Sequence, residues 1–324
     1  MGYMMILWII LVTVVTVYYL NIPPPDLSPR LKTWYKKGNF MKYKEFDIFY
    51  IDEDGILTDD STLLLIHGFP TSSHDWIKIL DDMKEQYSRI IIPDMLGFGF
   101  TDKPKQYDYL ITEQADILEA VLKSLSVKDV HIMSHDYGDT VALELLHRHN
   151  TGSGYMQVNS LCMLNGGLFQ ETYYPRLIQK ALLVPVLGDL LSHLSFYGSL
   201  KRGLGSTFGP KTQPSETDMR DFYTVLRYKE GNVVMSRLIH YITQRNENKE
   251  RWVGALQKTK VPVHMIYGPA DPVNPPVFVD HYKKVVPNPH IEVLPIDIGH
   301  YPQWEYPNGV VSSYLQFLET IKDD

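Results

Sequence analysis

Val130-His131-Ile132-Met133-Ser134-His135-Asp136-Tyr137-Gly138 is the stretch on which the fold turns. An apolar run stops at Ser134, and helical periodicity begins straight after Asp136. The face carrying Val141, Ala142, Leu145 and Leu146 would point inward. A strand that passes into a helix through so short a connection must turn sharply. Small residues on both sides of the turn permit this and lift the central side chain above the sheet. That central side chain is a carboxylate, Asp136. It either caps the following helix or is presented as a nucleophile, and the segment alone leaves both readings open.

Outward from this turn, short β-branched runs alternate with helical stretches. Strands are predicted at Phe46–Ile51, Thr62–Ile66, Ile90–Ile92, Val130–Ser134, Ser160–Leu164, Val263–Tyr267 and Ile291–Leu294, with helices at Thr112–Leu125 and Tyr137–His149. Several strands are apolar throughout, as strands covered on both faces should be. The alternation predicts an α/β fold with a mostly parallel, doubly wound sheet. Between Asn165 and Lys260 strand signals give way to helical pieces and breakers such as Gly203, Gly205, Pro210 and Pro214. The expected organisation is a sheet domain over residues 40–165 and 261–324, interrupted by a helical cap over 166–260.

Three further segments bear on the chemistry. His67-Gly68-Phe69-Pro70 follows the strand TLLLI, where the Phe69 N–H, with that of Tyr137, could meet a developing negative charge. Asp271 lies in YGPADPVNP after VHMIY, and His300 lies in IGHYPQWE after IEVL. The order of nucleophile, acid and histidine at 136, 271 and 300 is that of an α/β-hydrolase nucleophile elbow and its partners. A carboxylate nucleophile attacks saturated carbon and forms an alkyl-enzyme ester.

HGFP, the 94–104 run DMLGFGFTDKP, SHDYG, Asp271 and His300 together resemble the epoxide hydrolase and haloalkane dehalogenase branch of the α/β-hydrolases, from about Phe40 to Phe317. NIPPP, RWVGAL and GHYPQ extend the likeness to epoxide-hydrolase-like proteins of the endoplasmic reticulum membrane. The resemblance implies Asp136 as nucleophile, His300 as base oriented by Asp271, and no cofactor. It also implies cap tyrosines as acids on an opening epoxide oxygen. Tyr241 in LIHYITQRN has the expected spacing before Asp271, with Arg245 after it, whereas Tyr173, Tyr174 and Tyr197 all remain candidates for the second. Position 137 is usually Trp in this branch and is Tyr here. A serine-type lipase or acyltransferase would want serine at 136, and a catalytically silent relative of the same fold stays a competing expectation.

Composition narrows the field. The chain has 324 residues, and 38 acids against 31 bases give a net charge of −7, which offers no support for a nucleic-acid partner. The single cysteine, Cys162, excludes an internal disulfide and a Cys-based zinc site. GFGF lacks the third glycine of a dinucleotide fingerprint, there is no HExxH, and Asp94 reads as support for the glycine loop. No metal is expected. The expected substrate is small and apolar or lipid-like, and nothing bears on oligomeric state. One local extreme stands out: residues 1–25 carry no charge. Met4–Leu20 as a helix would span roughly 26 Å, with Trp8, Tyr18 and Tyr19 near its ends. This predicts a transmembrane anchor over 1–22, a linker over 23–39 and a single-pass endoplasmic reticulum membrane protein. Arg30, Lys32, Lys36 and Lys37 after the run place the rest of the chain in the cytosol by the positive-inside rule.

Overall fold

The computed structural model describes residues 2–20 and 22–322, with side chains described for 2–14 and 22–321. Eight strands form one sheet: β1 (Gly38–Tyr43), β2 (Phe46–Asp54), β3 (Thr62–Ile66), β4 (Arg89–Pro93), β5 (Asp129–His135), β6 (Gln157–Leu164), β7 (Val263–Tyr267) and β8 (His290–Val293). Their spatial order is β1-β2-β4-β3-β5-β6-β7-β8. β1 and β2 pair antiparallel, as do β2 and β4, and every other pairing is parallel. The period-2 geometry of the central strands divides their apolar side chains between two layers. Leu64, Ile66, Ile91 and Ile132 face one core, and Leu63, Leu65, Ile90, Ile92 and Met133 face the other.

The chain winds from β3 to β4 on one side and then crosses back to β5 on the other side of β3. The strand order therefore reverses between the C-terminal ends of β3 and β5, the crevice where open α/β sheets place their ligands. Phe69 and Asp136 stand at those two ends. Helices fill the chain between β6 and β7, among them Leu177–Leu182, Leu187–His193, Tyr197–Gly205, Glu216–Arg227 and Tyr241–Glu247.

Two stretches differ from expectation. The stretch read as a linker contains a helix, Pro29–Lys37. Ser28 caps it by accepting the Leu31 N–H, Pro29 starts it, and Leu31 and Trp34 bury its inner face. β1 also escapes the sequence pattern. GNFMKY sits at the sheet edge with both faces partly exposed, so no hydrophobic alternation marks it.

The apolar N-terminal run forms a helix, Gly2–Leu20, whose described side chains, from Gly2 to Val14, are all exposed. Among the described residues no helix is long and apolar enough to cross a membrane. This overturns the expected transmembrane anchor, and with it the single-pass endoplasmic reticulum membrane placement and its cytosolic orientation. The Tyr18 and Tyr19 side chains, expected at an interface, lie outside the described residues.

Candidate active site

Asp136 occupies the turn between β5 and the helix Tyr137–Thr151 with φ 47° and ψ −104°, a conformation non-glycine residues rarely hold. The neighbouring glycines are there because the space is closed. A Cβ on Gly138 would lie 2.5 Å from the Ile66 carbonyl oxygen, and one on Gly68 would lie 2.6 Å from His135 Nδ1. The Asp136 side chain makes no capping hydrogen bond to its helix. It points instead into the crevice, where Oδ2 accepts the Phe69 N–H at 3.1 Å. Oδ1 lies 3.7 Å from His300 Nε2 and accepts from the Tyr241 hydroxyl at 3.4 Å. Tyr137, as the first residue of the helix, has one of the first-turn N–H groups that find no partner within a helix.

His300 follows β8, and its Nδ1–H donates to Asp271 Oδ2 at 2.7 Å. Asp271 is fully engaged. Oδ2 also accepts from Asn165 Nδ2 and Asn274 Nδ2, each at 3.0 Å, and Oδ1 accepts the Val273 N–H at 2.7 Å. Asn165 immediately follows β6, and its side chain also ties the backbone of Gly268 in both directions. The loop that carries Asp271 is thereby fixed to the neighbouring strand. A second histidine supports the first: His135 Nε2 donates to the His300 carbonyl at 2.7 Å, with its ring against those of His300 and Tyr301.

Electrostatics separate these groups. Burial alone would raise the Asp136 carboxyl, but the hydrogen bond and charge of His300 outweigh it and hold the group at about 2. Burial works against the His300 imidazolium too, yet Asp271 and Asp136 on its two nitrogens raise it to about 10. His135 is equally buried, and burial together with the repulsion of His300 pushes it down to about 3. The resting site therefore pairs an Asp136 carboxylate with an imidazolium, beside a neutral His135.

Tyr241 is buried, with the Arg245 guanidinium 4.8 Å from its ring centre. The same guanidinium lies 4.7 Å from the ring of Tyr173. Of the three candidates for a second tyrosine, Tyr173 is therefore the one beside Tyr241. Tyr174 is exposed, and Tyr197 packs on Tyr223 and Arg220. The Tyr137 ring packs against Phe98 and Tyr241, and its buried hydroxyl lies beside the Gln114 side chain. Asp94 holds the glycine loop, accepting the N–H groups of Ser73 and Phe100 at 2.7 Å each. A Cβ on Gly99 would fall 2.0 Å from its carboxylate.

Sequence reasoning passed over Asn165, Asn274 and His135. Asn165, held at φ 49°, immediately after a strand was the one available signal. Above Asp136 and His300 opens a cavity of about 310 Å³, walled by side chains that include Leu182, Phe196, Leu200, Leu204 and Met235. This size and apolar lining suit a small-molecule site.

The α/β-hydrolase-fold family profile matches residues 61–307. The chain is 44% identical to the mouse (Mus musculus) mesoderm-specific transcript protein over 308 residues, 94% of this chain and 92% of that one. Among solved structures it resembles a haloalkane dehalogenase from Bradyrhizobium elkani (TM-score 0.74, 19% identity, 88% of this chain and 98% of that one). It likewise resembles the epoxide hydrolase CorEH (TM-score 0.67, 19% identity, 88% and 99%). With the sheet order, the strand-end loops and these matches in agreement, the chain belongs to the α/β-hydrolase-fold family.

Proposed function

We propose that this protein is a cofactor-independent hydrolase that opens epoxides of apolar compounds through an ester on Asp136. One observation carries the reading: the two oxygens of Asp136 have different partners. Oδ2 is tied to the Phe69 N–H, which leaves Oδ1 facing the cavity beside Tyr241 and His300. Oδ1 attacks an epoxide carbon and the C–O bond breaks. The Tyr241 hydroxyl, with Tyr173 beside it, delivers a proton to the departing oxygen. Esterification removes the negative charge of Asp136, so His300 loses one of the two carboxylates that hold its proton. The proton on Nε2 passes to the oxygen of Tyr241 and restores its hydroxyl, and the neutral Nε2 then takes a proton from water, whose oxygen attacks the Asp136 carbonyl carbon. The charge that develops on Oδ2 meets the N–H groups of Phe69 and Tyr137; the C–Oδ1 bond then breaks, the departing oxygen takes the proton of the new carboxyl group, and the diol leaves. Asp271 keeps the Nδ1 proton in place throughout. The helices between β6 and β7 serve as the cap that excludes water from the first step.

The choice of epoxide over haloalkane rests on the hydroxyl donors. A halide needs only N–H or similar stabilisation, whereas an opening epoxide oxygen needs a proton, and the Tyr241 hydroxyl is at Asp136. The test is covalent trapping. The His300→Gln variant is incubated with styrene oxide, methyl 9,10-epoxystearate and 1-bromohexane, and the peptide carrying Asp136 is weighed. The expected result is a mass increase equal to the epoxide, absent in Asp136→Asn/His300→Gln. An adduct from bromohexane alone would replace the epoxide reading with a dehalogenase one. No adduct from any compound in folded protein would leave the silent-fold reading.

A further inference from the structure

The cavity wall has an electrostatic asymmetry that the chemistry above does not use. Apart from Asp136 and His300 on its floor, the only charged side chain lining it among the described residues is Arg176. Among the described residues no carboxylate lies within ion-pair distance of that guanidinium. Its one hydrogen bond is a donation to the Ser206 hydroxyl at 3.3 Å. Arg176 is half-buried at the rim. Most cationic side chains near acids in this protein are paired, as Arg89 is with Asp52 and Arg251 with Glu144. Here a planar fork of donors is held beside an apolar chamber with no acid to meet it.

The tether also sets where the fork sits. Ser206 precedes Thr207, which lines the same cavity and whose carbonyl accepts the His300 N–H at 3.0 Å. Arg176 is thus anchored one residue from the segment that touches the catalytic histidine. The wall between is formed by groups such as Leu200, Leu204 and Phe196. A ligand filling this space meets a mainly apolar lining, interrupted by hydroxyls such as those of Ser192, Ser195 and Ser199, and a single cation.

We propose that the site selects amphiphiles: an apolar chain lies in the cavity and a terminal oxyanion is bound by Arg176 at the rim. The epoxide would be carried within that chain, and only this placement rests on Asp136 being the nucleophile. An oxyanion with two coplanar acceptors suits the guanidinium fork, so a carboxylate and a phosphate monoester share the required chemistry.

The test reads binding, not turnover. Dodecanoate, dodecyl phosphate and 1-dodecanol are titrated calorimetrically into wild-type protein, Arg176→Met and Arg176→Lys. Wild type is expected to bind at least one anion tenfold or more tighter than the alcohol, a difference of about 1.4 kcal/mol or more. Whichever anion binds tighter identifies the head group. Arg176→Met should erase that preference while leaving dodecanol within about twofold, and Arg176→Lys should restore part of it. A wild-type protein that binds the alcohol as tightly as both anions overturns the proposal even if a variant fails to fold. So does an Arg176→Met variant that loses alcohol and anion binding equally or keeps the anion preference. Anion binding through Arg176 without an Asp136 adduct would retain this inference and remove the hydrolase reading. An adduct without anion preference would do the reverse.

Discussion

The floor of the cavity and its wall are built on opposite principles. On the floor, Asp136, Asp271 and His300 follow the ends of β5, β7 and β8, and each is fixed by hydrogen bonds to neighbours that are themselves fixed. The wall comes from short helices over residues 177–205, and that segment exposes apolar side chains outward as well. Leu177 is 85% and Val186 80% exposed, and Val186 is held at φ 66°. A polar network in a buried site is costly if left incomplete, so every part of the floor constrains every other. A wall of interchangeable hydrocarbon bears no such constraint. On the proposed function, the sheet fixes the chemistry and selection is left to the helices.

Tyr241 is where this division can be broken most sharply, because it belongs to the helices yet reaches the floor. If it supplies the proton, Tyr241→Phe should slow epoxide alkylation of Asp136 by about 10²-fold, a typical size for one general acid. Reaction with a haloalkane should stay within a few-fold. Single-turnover rates with both electrophiles decide the matter. Equal slowing of both would make Tyr241 a packing residue and return it to the wall.

The same division explains what could be read from the residues alone. Strands β3 and β7 are legible to the residue, because strands covered on both faces must be apolar throughout. The Asp136 turn is legible because only small neighbours fit beside it. Asp271 and His300 could be found because strand ends are few and their order is informative. Asn165 and Asn274 could not, since an amide that orients a carboxylate looks like any loop asparagine. The choice of Tyr173 over Tyr174 and Tyr197 needed the position of Arg245, which depends on how several short helices pack. The N-terminal run differs: its apolar composition stands out in the sequence, yet among the described residues no helix is long and apolar enough to cross a membrane.

A second way to sharpen the comparison is through pH, because only the floor should respond. His300 is raised from its ordinary 6.5 to about 10. Its contribution to stability is complete below pH 6.5, declines as the unfolded chain loses the proton that the fold retains, and is gone above about 10. Asp136, lowered from 3.8 to about 2, contributes above pH 3.8, and that contribution is lost as pH falls through 2. His135 acts in the opposite sense to His300: lowered to about 3, it makes the fold lose stability as pH falls from 6.5. The melting temperature of wild type should therefore fall from pH 6.5 to 9 by a few degrees more than that of His300→Gln. Parallel curves would mean that His300 is not held as a buried cation, and the ion pair with Asp136 would have to be abandoned.

The smallest effect is expected at Tyr137, which lies on the floor by position but by its contacts is packing. Its ring fills space between Phe98 and Tyr241, and its buried hydroxyl lies beside the Gln114 side chain. A hydrogen bond between neutral side chains contributes about 1 kcal/mol net, so removing the hydroxyl while keeping the ring costs little. Tyr137→Phe should change stability by about 1 kcal/mol or less and should leave both proposed half-reactions unchanged, since position 137 would contribute to them only a backbone N–H. Urea denaturation and single-turnover alkylation measure the two quantities separately. A tenfold loss of epoxide alkylation with stability intact would make the Tyr137 hydroxyl a proton donor. The epoxide-opening acid would then come from the elbow itself, and the floor would carry all of the chemistry with nothing borrowed from the helices.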